Sequence, residues 1–184
     1  MGLIMSNNRE EKIYTPSVHV LLALQRTTQG AETKKCVRQV VKDWDLDLAF
    51  LRAKVKVLGG EWRIHCTVNE RDVEKARIWL IKRLLDFPEK GSFVDSEWRT
   101  ALLQRECVFG DEKFMLDVDT KDEIKLKEFN DLIDQFQVIA ICETPKGFHY
   151  ITRPFDTREV CALGYVTLLR DGFYYVETVK GDKQ

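Results

Sequence analysis

The chain has 184 residues, of which 44% are hydrophobic and 32% are charged, and its formal net charge is -1 at pH 7. These values are typical of an ordinary soluble protein with enough apolar residues for a sizeable core. No apolar run approaches the length of a membrane span, and the near-neutral charge does not indicate tight, nonspecific binding of nucleic acid by the whole surface.

The charges are unevenly divided along the chain. Residues 1–93 carry 17 Lys and Arg against 12 Asp and Glu, whereas residues 94–184 carry 12 against 18. A basic half beside an acidic half suits a polyanion held next to a metal site. A split of this size is also common on surfaces that have no such function.

Five cysteines are present: Cys36, Cys66, Cys107, Cys142 and Cys161. Their number is odd and no Cys-x-x-Cys pair occurs, which indicates a reduced, cytoplasmic protein. With three histidines and no cluster of Cys and His, a zinc site is not predicted.

We predict a flexible N-terminus, residues 1–15, followed by a single α+β domain, residues 16–184. The clearest break in the pattern lies at residues 87–92, which include a Pro and a Gly. The domain is therefore expected to divide into an N-terminal subdomain, 16–92, and a half that carries the motifs, 93–184.

Apolar patterning predicts the elements of the first half. In chain order they are a buried strand at 18–24, a helix at 33–44, a segment passing from helix to strand at 48–58, a strand at 62–69 and a helix at 70–85. The basic residues of the 33–44 helix, including Arg38, are predicted to lie on a solvated face rather than to contact nucleic acid.

The strand at 62–69 alternates between two kinds of side chain. Trp62 and Ile64 belong to an apolar face, whereas Arg63 and His65 belong to a polar one. His65 is a further site candidate because it shares that face with Arg63, although a hydrogen bond at the sheet edge is the role we favour for it.

In the second half the pattern is strand, helix, strand and hairpin strand. In chain order the elements are a helix at 96–105, a strand ending near 119, a helix from Thr120 or Asp122 to about 136, a strand at 138–144, a strand at 148–153 and a terminal hairpin formed by 166–169 and 173–179. The predicted fold is α+β, with a mixed or antiparallel sheet flanked by helices.

Two acidic residues, Asp117 and Asp119, follow the apolar run Phe114–Leu116. A spacing of two places both carboxylates on the same face of a strand. Such a pair is a candidate clamp for Mg²⁺ or Mn²⁺, which prefer oxygen ligands. The alternative is that they are solvated residues at a turn.

His149 lies on the strand after the Lys146-Gly147 turn. If this strand pairs with the Asp-x-Asp strand, the histidine and both acids can share one open face. Lys146, Arg153 and Arg63 can then neutralise the charge of a bound phosphate.

The Asp-x-Asp strand, followed after a helix by a strand, a Gly-containing turn and a histidine on the return strand, resembles the archaeo-eukaryotic primase and primase-polymerase superfamily. The resemblance covers about 113–155 and implies an RRM-like catalytic core. It implies that Asp117 and Asp119 bind the catalytic metals and that His149, after Gly147, contacts the nucleoside triphosphate.

In that superfamily a third carboxylate on a later strand completes the metal site. Asp171 has the form of that motif, an apolar run followed by Asp, and is the residue we assign to it. The alternative for Asp171-Gly172 is an ordinary hairpin turn. Asp156 and Glu177 are the other candidates for the third acid.

Other classes of protein also use Asp-x-Asp. A haloacid-dehalogenase phosphatase would have Thr or Val where this chain has Lys121, and a later acidic pair is not evident. A sugar-nucleotide glycosyltransferase does not account for the Gly-x-His hairpin. A non-catalytic, RRM-like protein that binds nucleic acid or has a regulatory role is the main alternative.

We therefore expect a metal-dependent nucleotidyltransferase of the primase-polymerase type, acting in DNA replication with Mg²⁺ or Mn²⁺. Its partners would be a nucleoside triphosphate and a nucleic acid, either DNA or RNA, and it would add nucleotides to a 3′-hydroxyl. We expect it to be cytoplasmic and to have no membrane partner.

Overall fold

The computed structural model describes residues 17–26 and 35–182. These residues form two antiparallel sheets flanked by helices, so the predicted α+β class is confirmed. None of the described helices is both long and apolar enough to cross a membrane. The predicted flexible N-terminus, 1–15, lies outside the described residues.

The strands in chain order are β1 (Ser17–Arg26), β2 (Cys36–Val41), β3 (Glu61–Thr67), β4 (Arg71–Asp72), β5 (Phe114–Val118), β6 (Val138–Glu143), β7 (Phe148–Thr152), β8 (Val166–Leu169) and β9 (Phe173–Lys180). The helices are α1 (Trp44–Val57), α2 (Val73–Asp86), α3 (Val94–Leu102), α4 (Glu123–Ile133) and α5 (Arg158–Cys161), with 3-10 turns at Pro88–Phe93 and Arg105–Cys107.

The first sheet has the strand order β2-β1-β3-β9, and β4 pairs with the beginning of β1. Helix α1 covers one face, where Leu51 and Val55 pack on Trp62 and Ile64. Helices α2 and α3 cover one end of the other face, around Val20. No helix among the described residues packs on the remainder of that second face.

The second sheet has the order β6-β7-β5-β8 and is formed by the sequence β5-α4-β6-β7-α5-β8. This is the βαββαβ arrangement found in RRM and ferredoxin-like units. Leu116 and Tyr150 pack on Phe129 of α4. Asp122 begins α4 by accepting hydrogen bonds from the backbone N–H groups of the first turn.

Two predictions for the first half were wrong. The segment predicted as a helix at 33–44 contains strand β2, and the mixed segment at 48–58 lies in α1 and the turn after it. The valines of β2 favour an extended chain, and they pair with β1 over six positions. Asp43 then caps α1 by accepting a hydrogen bond from Leu46 N–H.

The predicted terminal hairpin was also wrong, although both of its strands exist. Strand β8 pairs with β5 in the second sheet, whereas β9 pairs with β3 in the first. The Asp171-Gly172 turn between them is held by Arg71, which donates two hydrogen bonds to Asp171, and by Val68 N–H, which donates to the Gly172 carbonyl. Because β9 returns to the first sheet, a division at residue 92 does not separate the two sheets.

Candidate functional site

Asp117 and His149 lie opposite each other on the neighbouring strands β5 and β7. His149 Nε2 is 3.3 Å from Asp117 Oδ1. The imidazole is buried, with 7% of the residue exposed, whereas 30% of the Asp117 side chain remains exposed. The strand pairing that the prediction required is therefore present, and the carboxylate is the more accessible member of the pair.

The other ring nitrogen of His149 is held by the first sheet. Tyr175 N–H, on β9, donates to Nδ1 at 3.0 Å. Because Nδ1 accepts, the hydrogen-bond network assigns the proton of the neutral ring to Nε2, which faces Asp117. The site therefore lies at the junction of the two sheets, with a donor directed towards the carboxylate.

Asp119 follows the last residue of β5, at the point where the chain turns. Its backbone N–H donates to the Tyr165 carbonyl at 2.9 Å, and the N–H of Thr120 donates to the Val118 carbonyl at 2.9 Å, which closes a three-residue turn around Asp119. The side chain is exposed. It forms no hydrogen bond or salt bridge with any residue that the structure describes.

Asp117 lies in β5 and Asp119 follows directly after its last residue, so two carboxylates are close in the chain at this end of the strand. No group of three or more His, Cys, Asp or Glu residues with metal-binding geometry occurs in the described part of the chain. Mg²⁺ commonly binds through one or two carboxylates together with water and substrate phosphates. A divalent ion at Asp117 and Asp119 would therefore need further ligands from water or from a bound phosphate.

Gly147 lets the β6–β7 turn pack directly against the end of β5. A Cβ atom at this position would lie 1.8 Å from the Val118 carbonyl oxygen and 2.8 Å from Thr120 N. Only glycine is compatible with this approach. It brings the exposed Lys146 to the end of β5 that carries Asp119.

His65 approaches the same junction from the first sheet. It pairs with Tyr175 across β3 and β9, and the two rings meet edge to face at 5.9 Å. The pKa of His65 is lowered to about 4, chiefly by burial and then by the nearby His149 and Arg63, whereas a hydrogen bond with the Phe173 backbone and the charge of Asp117 act in the opposite direction. His65 is therefore neutral at pH 7.

Arg63 shares the polar face of β3 with His65, as predicted from the alternation, and Trp62 and Ile64 are fully buried on the other face. The Arg63 Nε is buried and has no hydrogen-bond partner among the described residues. Arg63 is therefore next to His65 and has no ion pair within the described chain.

Arg153 lies at the other end of β7 from His149. It forms a salt bridge with Asp111 at 3.2 Å. Arg153 is four positions after His149 in extended chain, a distance of roughly 13 Å. The fold therefore brings Lys146 and Arg63, rather than Arg153, to the end of the sheets that carries Asp117.

The three candidates for a third acid are all engaged elsewhere. Asp171 lies beyond the opposite end of β8 and accepts hydrogen bonds from Arg71 and from Asn69. Glu177 pairs with Arg52 on the α1 side of the first sheet, and Asp156 pairs with Arg158. The β8 residue opposite Asp117 is Thr167, so β8 adds a hydroxyl rather than a carboxylate.

Sequence reasoning missed Tyr175 and Arg71. Tyr175 acts through its backbone N–H, which every residue except proline has, so its side chain carried no signal. Arg71 falls in the first turn of the helix predicted at 70–85, where it resembles any surface arginine, whereas in the structure it belongs to β4. Its 1% exposure results from contacts with residues about one hundred positions away.

No protein-family model matches this chain, and searches of curated proteins and of solved structures gave no significant match.

Proposed function

We propose that this protein binds a nucleoside triphosphate with Mg²⁺ or Mn²⁺ at Asp117 and Asp119 and transfers the nucleotide to a nucleic-acid 3′-hydroxyl. The observation that carries the proposal is the pairing of Asp117 with His149 on adjacent strands of an RRM-like sheet. This is the arrangement that the resemblance to primase-polymerases implies. It would give the protein a role in DNA replication, with DNA or RNA as the product.

Each residue has a distinct role in this proposal. Asp117 and Asp119 hold the metal, which supplies activation of the attacking hydroxyl and charge neutralisation at the leaving pyrophosphate. His149 donates from Nε2 to a phosphate oxygen, and Tyr175 N–H maintains that tautomer. Lys146 and Arg63 add positive charge.

Calorimetric titration of Mn²⁺ and a nonhydrolysable nucleoside triphosphate tests the proposed binding. We expect Asp117→Asn and Asp119→Asn each to weaken metal-dependent nucleotide binding at least tenfold. Asp156→Asn is the matched control, because it removes an exposed carboxylate that is engaged by Arg158. Equal binding by the wild type and both Asn variants would refute the site.

A second candidate function is binding of nucleic acid without catalysis. It is favoured by Thr167, which occupies the β8 position next to Asp117, and by the Arg71 ion pair that holds Asp171. These features leave two carboxylates where the superfamily has three. Extension of a labelled primer distinguishes the candidates: nucleotide addition that is lost in Asp117→Asn supports the enzyme. Primer binding with no extension, unchanged in that variant, supports the non-catalytic protein.

A further inference from the structure

One face of the first sheet carries an unusual set of side chains. Cross-strand pairs place Arg38 beside Leu22, and Leu24 beside Arg63. All four side chains are partly exposed. Neither leucine belongs to a hydrophobic core of the described residues, because α2 and α3 cover only the end of the face around Val20.

The two arginines of this face have no counter-ion among the residues that the structure describes. Neither Arg38 nor Arg63 forms a salt bridge with any residue in 17–26 or 35–182, and the Nε atom of each is buried without a hydrogen-bond partner there. Eight other arginines pair with carboxylates: Arg26, Arg52, Arg71, Arg77, Arg83, Arg105, Arg153 and Arg158. Arg99 and Arg170 form no salt bridge with a described residue either, but they lie outside this face. Partly buried, unpaired guanidinium groups favour an anionic ligand.

The charge of the whole face points in the same direction. The alternation of side chains along the strands places Arg26 and Lys180 on the same face as Arg38 and Arg63. Glu61 is also on this face, between Arg26 and Lys180 on the neighbouring strands. Glu61 already accepts from Arg26 at 3.4 Å. The face therefore carries an excess of positive charge that complements a polyanion.

The spacing of the cations suits a chain of phosphates rather than one phosphate. Arg38 and Arg63 lie on strands on either side of β1, about 10 Å apart across the sheet, with leucines between them. Tyr175 is on the same face, beyond His65. Arginines flanking apolar and aromatic side chains are typical of surfaces that hold the backbone and the unstacked bases of a single strand.

We infer that this face, from Arg38 across Leu22 and Leu24 to Arg63 and Tyr175, binds single-stranded nucleic acid and directs it towards Asp117. The inference rests on the proposed function for the use of the bound strand, because His65 and Tyr175 connect the face to the Asp117–His149 pair. The binding itself requires neither the metal nor the two aspartates.

Fluorescence anisotropy with a labelled 20-nucleotide single strand, measured in EDTA, tests the inference. Arg38→Ala/Arg63→Ala should raise Kd at least tenfold. The slope of log K against log salt should become shallower by about 1.4, because each phosphate contact on a single strand contributes about 0.7. Arg77→Ala/Arg158→Ala removes the same charge from exposed, paired arginines and should change Kd less than twofold.

Two further variants separate folding and catalysis from binding. Arg38→Lys/Arg63→Lys keeps the charge and should retain the salt dependence, so a loss in the Ala variant alone is not a folding defect. Asp117→Asn/Asp119→Asn should bind the strand normally in EDTA, even if the proposed nucleotide site proves wrong. Wild-type affinity and salt slope in Arg38→Ala/Arg63→Ala would overturn the inference, as would equally tight binding of a duplex of the same length.

Discussion

Tyr175 N–H donates a hydrogen bond of 3.0 Å to Nδ1 of His149, and this bond joins the first sheet to the second. It leaves the Nε2 proton directed towards Asp117, whose Oδ1 lies 3.3 Å from Nε2. The imidazole is therefore fixed by one neighbour on each sheet. His149 therefore holds the two sheets together as well as being a candidate ligand for a phosphate.

Replacing His149 should separate these two roles. His149→Ala leaves Tyr175 N–H without its acceptor and should cost about 1–3 kcal/mol of unfolding free energy. His149→Asn keeps an acceptor near the position of Nδ1, so it should restore much of the stability but not metal-dependent nucleotide binding. Urea denaturation and nucleotide titration measure the two effects. If Asn is as unstable as Ala, the bond from Tyr175 does not stabilise the junction.

The ion pair between Arg71 and Asp171 should be important for stability rather than for metal binding. The Arg71 side chain is 1% exposed and its guanidinium lies 2.6 Å from the Asp171 carboxylate. Asp171→Asn leaves a buried cation without a counter-ion and should cost about 3–5 kcal/mol.

The exposed pair Arg158–Asp156 supplies the comparison, because Asp156→Asn should cost less than about 1 kcal/mol. Denaturant unfolding of both variants measures these differences. A folded Asp171→Asn variant with normal stability but no bound Mn²⁺ would instead identify Asp171 as the third metal ligand.

Gly147→Ala should disturb the end of β5 that carries Asp119. The added Cβ would overlap the Val118 carbonyl oxygen, so the backbone of one segment must move. We expect a cost of about 1–3 kcal/mol, as for other overpacked sites, and weaker metal binding. Gly91→Ala is the control, because nothing lies within 4 Å of its Cβ position. Thermal unfolding in which both variants match the wild type would contradict the tight approach of Gly147.

The second half of the chain was largely predictable because its strands are separated by short stretches of sequence. Strands β5, β6 and β7 are apolar runs separated by one helix and one tight turn, and Asp122 marks the beginning of α4. Neighbouring strands with such short connections generally pair. The pairing of β5 with β7, which places Asp117 opposite His149, was instead a condition of the predicted site, because β6 lies between these two strands in the chain.

The first sheet was harder to predict because some of its paired strands are far apart in the sequence. The spacing of the apolar residues of β2 fits either a helix or a strand, and its pairing with β1 decided between them. Strand β9 reads as half of a hairpin, yet it pairs with β3 more than one hundred residues earlier. The positions of Tyr175 and Arg38 depend on these long-range pairings, which no local pattern in the sequence reports.

His65 should make the stability of the protein depend on pH. Its pKa falls from 6.5 to about 4 in the folded chain, chiefly because the ring is buried. Between these values the unfolded chain binds a proton that the folded chain does not, so the free energy of unfolding should decrease as the pH falls from about 6.5 to 4. After allowance for solvent screening, we expect His65 to account for about 1–2 kcal/mol of this decrease.

Urea unfolding of the wild type and His65→Gln at pH 7 and pH 4.5 isolates this contribution, because carboxylates that titrate in both proteins cancel in the comparison. The variant should lose less stability on acidification. His19→Gln provides a parallel comparison, since burial also lowers the pKa of His19, and its effect should add to that of His65→Gln. An identical loss in the wild type and His65→Gln would mean that His65 is protonated in the folded protein as readily as in the unfolded chain. The neutral imidazole assigned to the sheet junction would then be wrong.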